Sequence, residues 1–376
     1  MLRATGRTRK LRLSALLLTL AAVAGALLFV ELGFADGASA QLGPSTATRQ
    51  VTPGVGNDAA LWRAVHSGVS GWVSIPDRKA GLLIQPQGET WRAVRNGPLL
   101  HDGAYLLGAV VVALAIFFLW RGRIRVEDGF SGRTVTRFGP IERFAHWLIA
   151  VSFVVLGLTG LNITFGRHVL MPLIGQPTFA AVSLWAKYLH NFVAFAFIAG
   201  LVVVFVRWVT ENIPDKYDAG WLLRGGGMFA KGVHPPAKKF NAGQKILFWL
   251  IVLGGGSLAA SGLDLLFPFQ LAMFSKTFVF LNLFGANLPT NLAPVHEMQL
   301  ASIWHAILAL LMIALILGHV YIGTLGMEGA FDAMGTGEVD VSWAREHHSV
   351  WAERQAARDS QPVIPLGGKE SVTPAE

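Results

Sequence analysis

One stretch of the sequence constrains the fold more than any other, because residues Ala301 to Tyr321 are almost entirely apolar. They read ASIWHAILALLMIALILGHVY and carry no formal charge. About twenty apolar residues are enough for one α-helix to cross the hydrocarbon core of a bilayer. The sequence therefore predicts a transmembrane helix at this position.

The same stretch contains two histidines, His305 and His319, which are 14 residues apart. An α-helix has about 3.6 residues per turn and rises about 1.5 Å per residue, so both imidazoles leave one face, roughly 21 Å apart along the axis. Polar residues inside a membrane helix are costly and usually functional, and imidazole is an axial ligand of haem iron. The pair predicts two stacked haems, although a hydrogen bond to a neighbouring helix explains either histidine alone equally well.

The composition agrees with a membrane protein, since 53% of the 376 residues are hydrophobic and only 14% are charged. The chain has no cysteine, which excludes disulfides, thiolate-bound iron–sulfur clusters and covalently attached c-type haem within it. Any redox cofactor must therefore be held by histidine, methionine or non-covalent packing. We attribute the net charge of +8 to cytoplasmic loops, and we predict no nucleic-acid partner.

The N-terminus has the features of a targeting segment. Basic residues up to Arg12 precede an apolar run over Leu13 to Val30, and an Ala-Ser-Ala sequence ends at Ala40. This pattern predicts a signal peptide or an uncleaved signal anchor over residues 1–40. Residues 41–100 are polar, and we interpret them as an extracytoplasmic extension that packs on the membrane surface or on a partner subunit.

Five apolar segments follow, each long enough to span a bilayer. They are Tyr105–Trp120, Ile141–Phe165, Leu184–Val209, Gln244–Leu263 and Ala301–Tyr321. Basic residues crowd the loops after the first and third segments, whereas residues 264–300 hold only Lys276. Because cytoplasmic loops carry the excess of Lys and Arg, we predict a multi-pass protein of the bacterial inner membrane, with residues 41–100 outside and the C-terminal tail in the cytoplasm.

The predicted fold class is an all-α membrane protein. After the signal segment and the extension, one extra transmembrane helix at residues 101–122 precedes a four-helix haem-binding bundle at residues 123–326. A polar cytoplasmic tail at residues 327–376 completes the predicted organisation.

The predicted orientation sorts the membrane histidines by depth. His146 opens an outward helix and His319 closes an inward one, so both lie near the cytoplasmic surface. His190 and His305 both lie early in inward helices, near the outer surface. A bis-histidine site needs one imidazole on each side of a haem, and helix bundles build such sites from facing helices. We therefore predict an inner haem held by His146 and His319, and an outer haem held by His190 and His305.

The remaining histidines are interpreted as solvated or loop residues. They are His66, His101, His168, His234, His296, His347 and His348.

Several short motifs resemble those of one known family. R-F-A-H-W opens one apolar segment, Y-L-H-N-F opens the next, F-N-A-G-Q-K precedes the fourth, and the last contains Trp304-His305 and Gly318-His319. Together they resemble the gamma subunit of membrane-bound formate dehydrogenases, a cytochrome b556 that anchors the complex in the membrane. The resemblance covers about residues 137–345, and each motif alone is a weak signal.

The resemblance implies two haem b groups and the same four axial histidines. It also implies a quinone site beside the inner haem, contacted by Asn241, Gly243, Gln244 and His319. A quinone carbonyl needs hydrogen-bond donors, which an amide side chain provides. Asn241 is also a favoured helix N-cap residue, and the two roles are compatible.

The resemblance further implies electron transfer from formate to quinone. A molybdenum or tungsten catalytic alpha subunit would oxidise formate outside the membrane, and the iron–sulfur beta subunit would deliver the electrons to this chain. The chain would then be the quinone-reducing electron-transfer subunit, embedded in lipid and lacking the formate-oxidising centre.

Two alternatives remain open at this point. One is a cytochrome b subunit of another respiratory oxidoreductase, such as a nickel–iron hydrogenase. The other is a haem-free membrane scaffold or transporter, although the sequence shows no convincing internal repeat of the kind that transporters have.

Overall fold

The computed structural model describes residues 88–359. The predicted signal segment, most of the predicted extension and residues 360–376 lie outside the described residues. In chain order the described helices are α1 (Gly88–Asn96), α2 (Pro98–Arg121), α3 (Pro140–Ile174), α4 (Gln176–Trp208), α5 (Asp218–Leu223), α6 (Ala242–Leu266), α7 (Met273–Asn282), α8 (Pro294–Tyr321), α9 (Asp332–Gly335), α10 (Val341–His347) and α11 (Ser349–Asp359). Two short strands, β1 (Thr134–Thr136) and β2 (Glu338–Asp340), pair antiparallel.

Five of these helices, α2, α3, α4, α6 and α8, are long and apolar enough to cross a membrane. Four of them contain a predicted segment completely, and α4 contains all of Leu184–Val209 except its last residue, so the all-α membrane class is confirmed. Between 17% and 22% of the residues in the most apolar window of each helix are buried inside the protein. Many of the remaining large apolar side chains are exposed, among them Leu158, Phe192 and Leu253, as in helices that face lipid.

The long helices extend beyond the apolar segments, because backbone hydrogen bonding continues where hydropathy falls. Only Gly175, with φ at 78°, separates α3 from α4. His101, His168 and His296 were interpreted as solvated or loop residues, but all three lie within long helices. His296 is in the first turn of α8, behind Pro294 at the first helical position, where the missing N–H of proline leaves no donor unpaired.

Helix α8 is the centre of the described bundle. It packs against α2, α3 and α6, and it also contacts α1, where Nε1 of Trp91 donates to Oγ of Ser302 at 2.9 Å. Helices α3 and α4 form the most extensive helix pair. Their close approach requires Gly200, because a Cβ atom there would lie 3.1 Å from the backbone nitrogen of Ile149.

The chain after the last long helix is folded as far as residue 359. The predicted cytoplasmic tail at residues 327–376 stays a prediction in its bounds and its side of the membrane. We call residues 327–359 the closing segment. Its strand β2 pairs with β1 from the loop before α3, and Trp343 and Trp351 are 3% and 7% exposed. Both tryptophans belong to one hydrophobic cluster with Phe138. A few large aromatic side chains thus fix a segment that is polar on average against one end of the bundle.

Candidate functional site

The four predicted ligands lie in two pairs between facing helices. His190 of α4 and His305 of α8 have ring centres 6.2 Å apart, and His146 of α3 and His319 of α8 have the same separation. We call His190 and His305 the hydroxyl pair, because each contacts a hydroxyl group. We call His146 and His319 the cavity pair, because both line a large cavity. The structure thus brings together the same two pairs that were predicted from the depth of each histidine in the membrane. The role of these histidines as haem ligands stays a prediction.

The hydroxyl pair lies deeper within its helices than the sequence predicted. Helix α4 begins at Gln176, 14 residues before His190, and α8 begins at Pro294, 11 residues before His305. Both histidines were expected in the first turns of their helices. They lie near the middle because each helix starts well before its apolar segment.

The separation of 6.2 Å fits a metal ion between two imidazoles. A metal–nitrogen bond is about 2.0 Å long, and each ring centre lies roughly 1 Å behind its nitrogen, so two rings on opposite sides of one ion have centres about 6 Å apart. The side chains therefore fit bis-histidine ligation of haem at both pairs.

The hydroxyl contacts fix the tautomer of the hydroxyl pair. Nδ1 of His190 lies 2.8 Å from Oγ1 of Thr159, and Nδ1 of His305 lies 2.9 Å from Oγ of Ser261. Each hydroxyl also donates to the carbonyl oxygen four residues earlier in its own helix, at 2.8 Å and 2.9 Å respectively. The oxygen therefore accepts a hydrogen bond from Nδ1–H, which leaves the lone pair of Nε2 for a metal.

A glycine follows each of these hydroxyl residues and leaves space for the imidazole. A Cβ atom at Gly160 would lie 3.5 Å from Cε1 of His190, and one at Gly262 would lie 3.3 Å from Cε1 of His305. The same two-residue unit, a hydroxyl residue and then a glycine, thus supports both rings of the hydroxyl pair from neighbouring helices.

The cavity pair lies in different surroundings. Nδ1 of His146 is buried without a hydrogen-bond partner among the residues that the structure describes. Both rings line a cavity of about 900 Å³, which is near the upper end of the usual range for small-molecule sites. The cavity extends from the rings to the loops at one end of the bundle, and a haem held by the cavity pair would occupy part of this volume.

The residues predicted to contact a quinone line this same cavity. They are Asn241, Gly243 and Gln244, together with His319. Asn241 also caps α6, as the alternative interpretation proposed. Its Oδ1 accepts from the backbone nitrogen of Gln244 at 2.9 Å, and Oε1 of Gln244 accepts from the backbone nitrogen of Asn241 at 3.1 Å. These bonds use the side-chain oxygens, and the two amide NH₂ groups are donors of the kind that a carbonyl ligand needs.

The closing segment supplies part of the cavity wall, which the sequence analysis missed. Trp343, His347 and His348 all line the cavity. His348 was interpreted as solvated, and this is wrong because only 1% of it is exposed. The available signal was the pair of tryptophans, Trp343 and Trp351, which flank the two histidines at a spacing compatible with one helical face.

Arg137 connects the closing segment to the predicted quinone residues. Its Nη2 lies 2.7 Å from the carbonyl oxygen of Lys239, 3.3 Å from Oε1 of Gln244 and 2.8 Å from Nε2 of His348. A guanidinium group only donates, so Nε2 of His348 accepts. Nδ1 of His348 then carries the proton and donates to the carbonyl oxygen of Lys238 at 2.7 Å.

Burial lowers the pKa values of Arg137, His347 and His348. Burial lowers the pKa of Arg137 to about 9, and Arg137 makes no ion pair with a carboxylate of residues 88–359. Burial, and then the charge of Arg137, hold the pKa of His348 well below its usual value. Burial lowers the pKa of His347 to about 4, with smaller contributions from His234 and Arg137. At neutral pH the wall therefore holds a buried cation and two neutral imidazoles.

Comparison with known proteins shows the family of this chain. Residues 137–337 match the family model of prokaryotic cytochrome b561, which is more than half of the chain. The chain belongs to this family. The matched region contains all four paired histidines and the predicted quinone residues, and it ends before α10.

Individual relatives are similar over most of their own length. The nitrate-inducible formate dehydrogenase cytochrome b556(Fdn) subunit of Escherichia coli is 28% identical over 241 residues, which is 62% of this chain and 99% of the relative. A second E. coli relative, the formate dehydrogenase cytochrome b556(fdo) subunit, is 26% identical over 58% of this chain and 92% of its own length. The formate dehydrogenase cytochrome b556 subunit of Haemophilus influenzae is 24% identical over 60% and 85%.

Family and structure together establish the general class of the protein. A member of a cytochrome b family is a haem b protein, and five apolar helices of this length belong to an integral membrane protein.

Proposed function

We propose that this chain is the di-haem cytochrome b subunit that anchors a formate dehydrogenase complex in the membrane and passes electrons from formate to quinone. The main support is that one helix, α8, supplies one histidine to each of two pairs with ring centres 6.2 Å apart. The similarity to three formate dehydrogenase cytochrome subunits supports formate as the electron source.

The four histidines would hold two haems, one at each pair. Bound haem b supplies reversible one-electron transfer. The chain sets the orientation of the rings at the hydroxyl pair, where Thr159 and Ser261 accept from Nδ1. Such contacts with the second ring nitrogen raise the basicity of a ligand and hold it in position. The helix between His305 and His319 sets the distance between the two sites.

The cavity beside the cavity pair would bind the quinone. Its wall holds Asn241, Gly243, Gln244 and His319, with amide donors for a carbonyl oxygen and a buried guanidinium that favours negative charge. Aromatic and aliphatic side chains supply much of the remaining wall, which suits an apolar quinone ring.

The chain would depend on partners for the oxidation of formate. It has no cysteine to bind an iron–sulfur cluster. The proposed partners are an iron–sulfur beta subunit that delivers electrons at the hydroxyl pair and a molybdenum or tungsten alpha subunit that oxidises formate. In the bacterial inner membrane, the basic loops would place the cavity pair at the cytoplasmic side.

Optical spectroscopy with a haem count tests the proposal. We expect the purified protein to carry two b-type haems, and His305→Ala and His319→Ala each to lose one, because an axial ligand is removed at a different pair. His168→Ala is the matched control, since this histidine lies on α3 outside both pairs, and it should keep both haems. A folded protein that contains no haem would contradict the proposal and favour the scaffold alternative.

The electron donor needs a separate experiment, because a cytochrome b subunit of a hydrogenase would show the same two haems. Membranes that contain the complete complex should reduce the haems when formate is added, and hydrogen should have no effect. Reduction by hydrogen alone would assign the chain to a different oxidoreductase.

A further inference from the structure

The closing segment completes a line of titratable side chains between solvent and the cavity. The outer end is Glu127, whose Oε2 lies 3.2 Å from Nε2 of His234. Both side chains are partly exposed, at 41% and 31% respectively. Both also line the cavity, so these two residues stand at a point where solvent and cavity meet.

The next member of the line is His347 of α10. Its ring centre lies 6.3 Å from that of His234, a separation that leaves room for one bridging water. His347 lines the cavity, and its buried Nε2 has no hydrogen-bond partner within residues 88–359. A buried ring nitrogen without a hydrogen-bond partner lowers the stability of a folded protein. A side chain that carries protons nevertheless requires such a nitrogen, because it must be able to bind a proton there.

The inner end of the line reaches the predicted quinone residues. His348 follows His347 directly and contacts Arg137, which in turn contacts Oε1 of Gln244. Arg137 remains protonated and His348 has both ring nitrogens engaged, so neither is suited to exchange protons. His347 is therefore the residue of this group with a free ring nitrogen.

Burial and the charge of Arg137 keep His347 in the neutral form that a proton relay needs. The charged or titratable groups around it are His234, Arg137, Glu127 and the adjacent His348. Glu346, whose Oε2 is also buried without a partner, precedes it on α10. Burial, and to a smaller extent the charge of Arg137, keep the imidazole neutral at neutral pH, with one nitrogen that donates and one that accepts.

We propose that His347, with His234 and Glu127 at the solvent side, is the route by which protons reach the quinone cavity. This inference rests on the proposed function. Reduction of a quinone to the quinol takes two electrons, which come from the iron–sulfur partner through this subunit, and two protons. Each proton that His347 takes up at one ring nitrogen from the side of His234 is matched by a proton that it releases from the other toward the cavity. Both protons come from water, and both end in O–H bonds of the quinol.

The relay lies partly outside the region that defines the family. The family match ends at residue 337, whereas His347 lies ten residues further along the chain. The family match therefore does not itself assign this route.

The reverse reaction tests the relay in the complete haem-loaded protein in membranes. A short-chain ubiquinol or menaquinol analogue gives up two electrons, which reduce two ferric haems, and releases two protons. We expect His347→Gln to slow haem reduction about 10-fold or more, since positioned proton transfer contributes about 10²–10⁴-fold in enzymes. His234→Gln should slow it less, because solvent water replaces a partly exposed side chain. Haem content should not change in either variant.

Two readouts distinguish proton transfer from a structural effect. The slowed variants should show a larger solvent deuterium effect than the unsubstituted protein, and added imidazole should restore part of the rate. His168→Gln, on α3 outside the cavity, is the matched control and should keep the full rate. Because His234 is partly exposed, its variant tests the relay even where His347→Gln does not fold.

The outcomes separate the relay from the proposed function. If quinol reduces the haems and both variants keep the full rate, the relay is overturned and the proposed function stands. If no quinol analogue reduces the haems of the unsubstituted protein, the quinone part of the proposed function is overturned, and the relay with it.

Discussion

The hydroxyl pair and the cavity pair share a ring separation of 6.2 Å and differ in what surrounds the rings. At the hydroxyl pair, each imidazole is held by a hydroxyl group and packed beside a glycine. At the cavity pair, Nδ1 of His146 has no partner, and both rings border a space of about 900 Å³. The first site has its side-chain contacts filled from within the bundle, whereas the second leaves room for another molecule.

This difference shows how one helix bundle can separate the binding of a cofactor from the exchange of a substrate. A site that only holds a cofactor benefits from fixed tautomers and close packing, because both reduce the reorganisation that accompanies a change of charge. A site that also exchanges a substrate needs open volume and polar groups that are not fully engaged. The proposed direction of electron flow, from the hydroxyl pair to the cavity pair, follows this division.

The largest effect is expected from filling the glycine space at the hydroxyl pair. Gly262→Val would place side-chain atoms against Cε1 of His305, which is already 3.3 Å from the position of a Cβ atom. We expect loss of the haem at the hydroxyl pair and retention of the haem at the cavity pair, measured by haem count and optical spectrum. Gly256→Val is the matched control on the same helix, because a Cβ atom there has no neighbour within 4 Å. Two haems in both variants would show that the glycine space is unimportant.

A smaller effect is expected from removing a hydroxyl group. Thr159→Val keeps the shape of the side chain but leaves Nδ1–H of His190 without its acceptor. We expect the haem at the hydroxyl pair to be retained about 10- to 100-fold more weakly, as is typical when a contact behind a metal ligand is lost. Competition with apo-myoglobin for haem measures this.

A matched variant on the same helix controls for the loss of a threonine. Thr164 makes the same bond to the carbonyl oxygen four residues earlier and contacts no paired histidine in the described chain. Thr164→Val should therefore leave haem retention unchanged. Equal weakening in both variants would mean that the helix, and not the imidazole contact, is responsible.

The smallest effect is expected for the stability of the closing segment, which should depend on pH through His347. His347 has a pKa of about 4 in the folded protein against an ordinary value of 6.5, so the folded state binds fewer protons than the unfolded state between these values. The stability that the neutral imidazole contributes is complete above about pH 6.5 and is lost toward pH 4, at about 1.4 kcal/mol per pH unit. Amide hydrogen exchange should show the closing segment opening at about pH 5 while α8 stays protected. Exchange of the closing segment that is independent of pH would contradict this.

The sequence was sufficient to predict the long helices and the pairing of the histidines, and the reason is physical. Apolar length reports a membrane helix directly, and the helical repeat places His305 and His319 on one face without knowledge of any neighbour. The same information could not reveal Thr159 and Ser261 as partners of the rings. Those contacts join different helices, and their geometry depends on how the helices rotate against one another.

The cavity wall was missed for a related reason. Average polarity made residues 327–359 resemble a tail, although Trp343 and Trp351 are buried against the bundle. The burial of Arg137 was equally hidden, because basic residues near a membrane are normally counted as loop charges. In both cases one or two large side chains outweighed the average composition of the sequence around them.

The position of α8 at the centre of the bundle determines which changes of length the chain tolerates. One residue inserted between His305 and His319 would turn one imidazole by about 100° and shift it by about 1.5 Å relative to the other, so one ring would leave its partner. Residues inserted in the loops on either side of α8 would move neither. The backbone between these two histidines acts as a ruler, and its length is fixed more strictly than the identity of the aliphatic side chains along it.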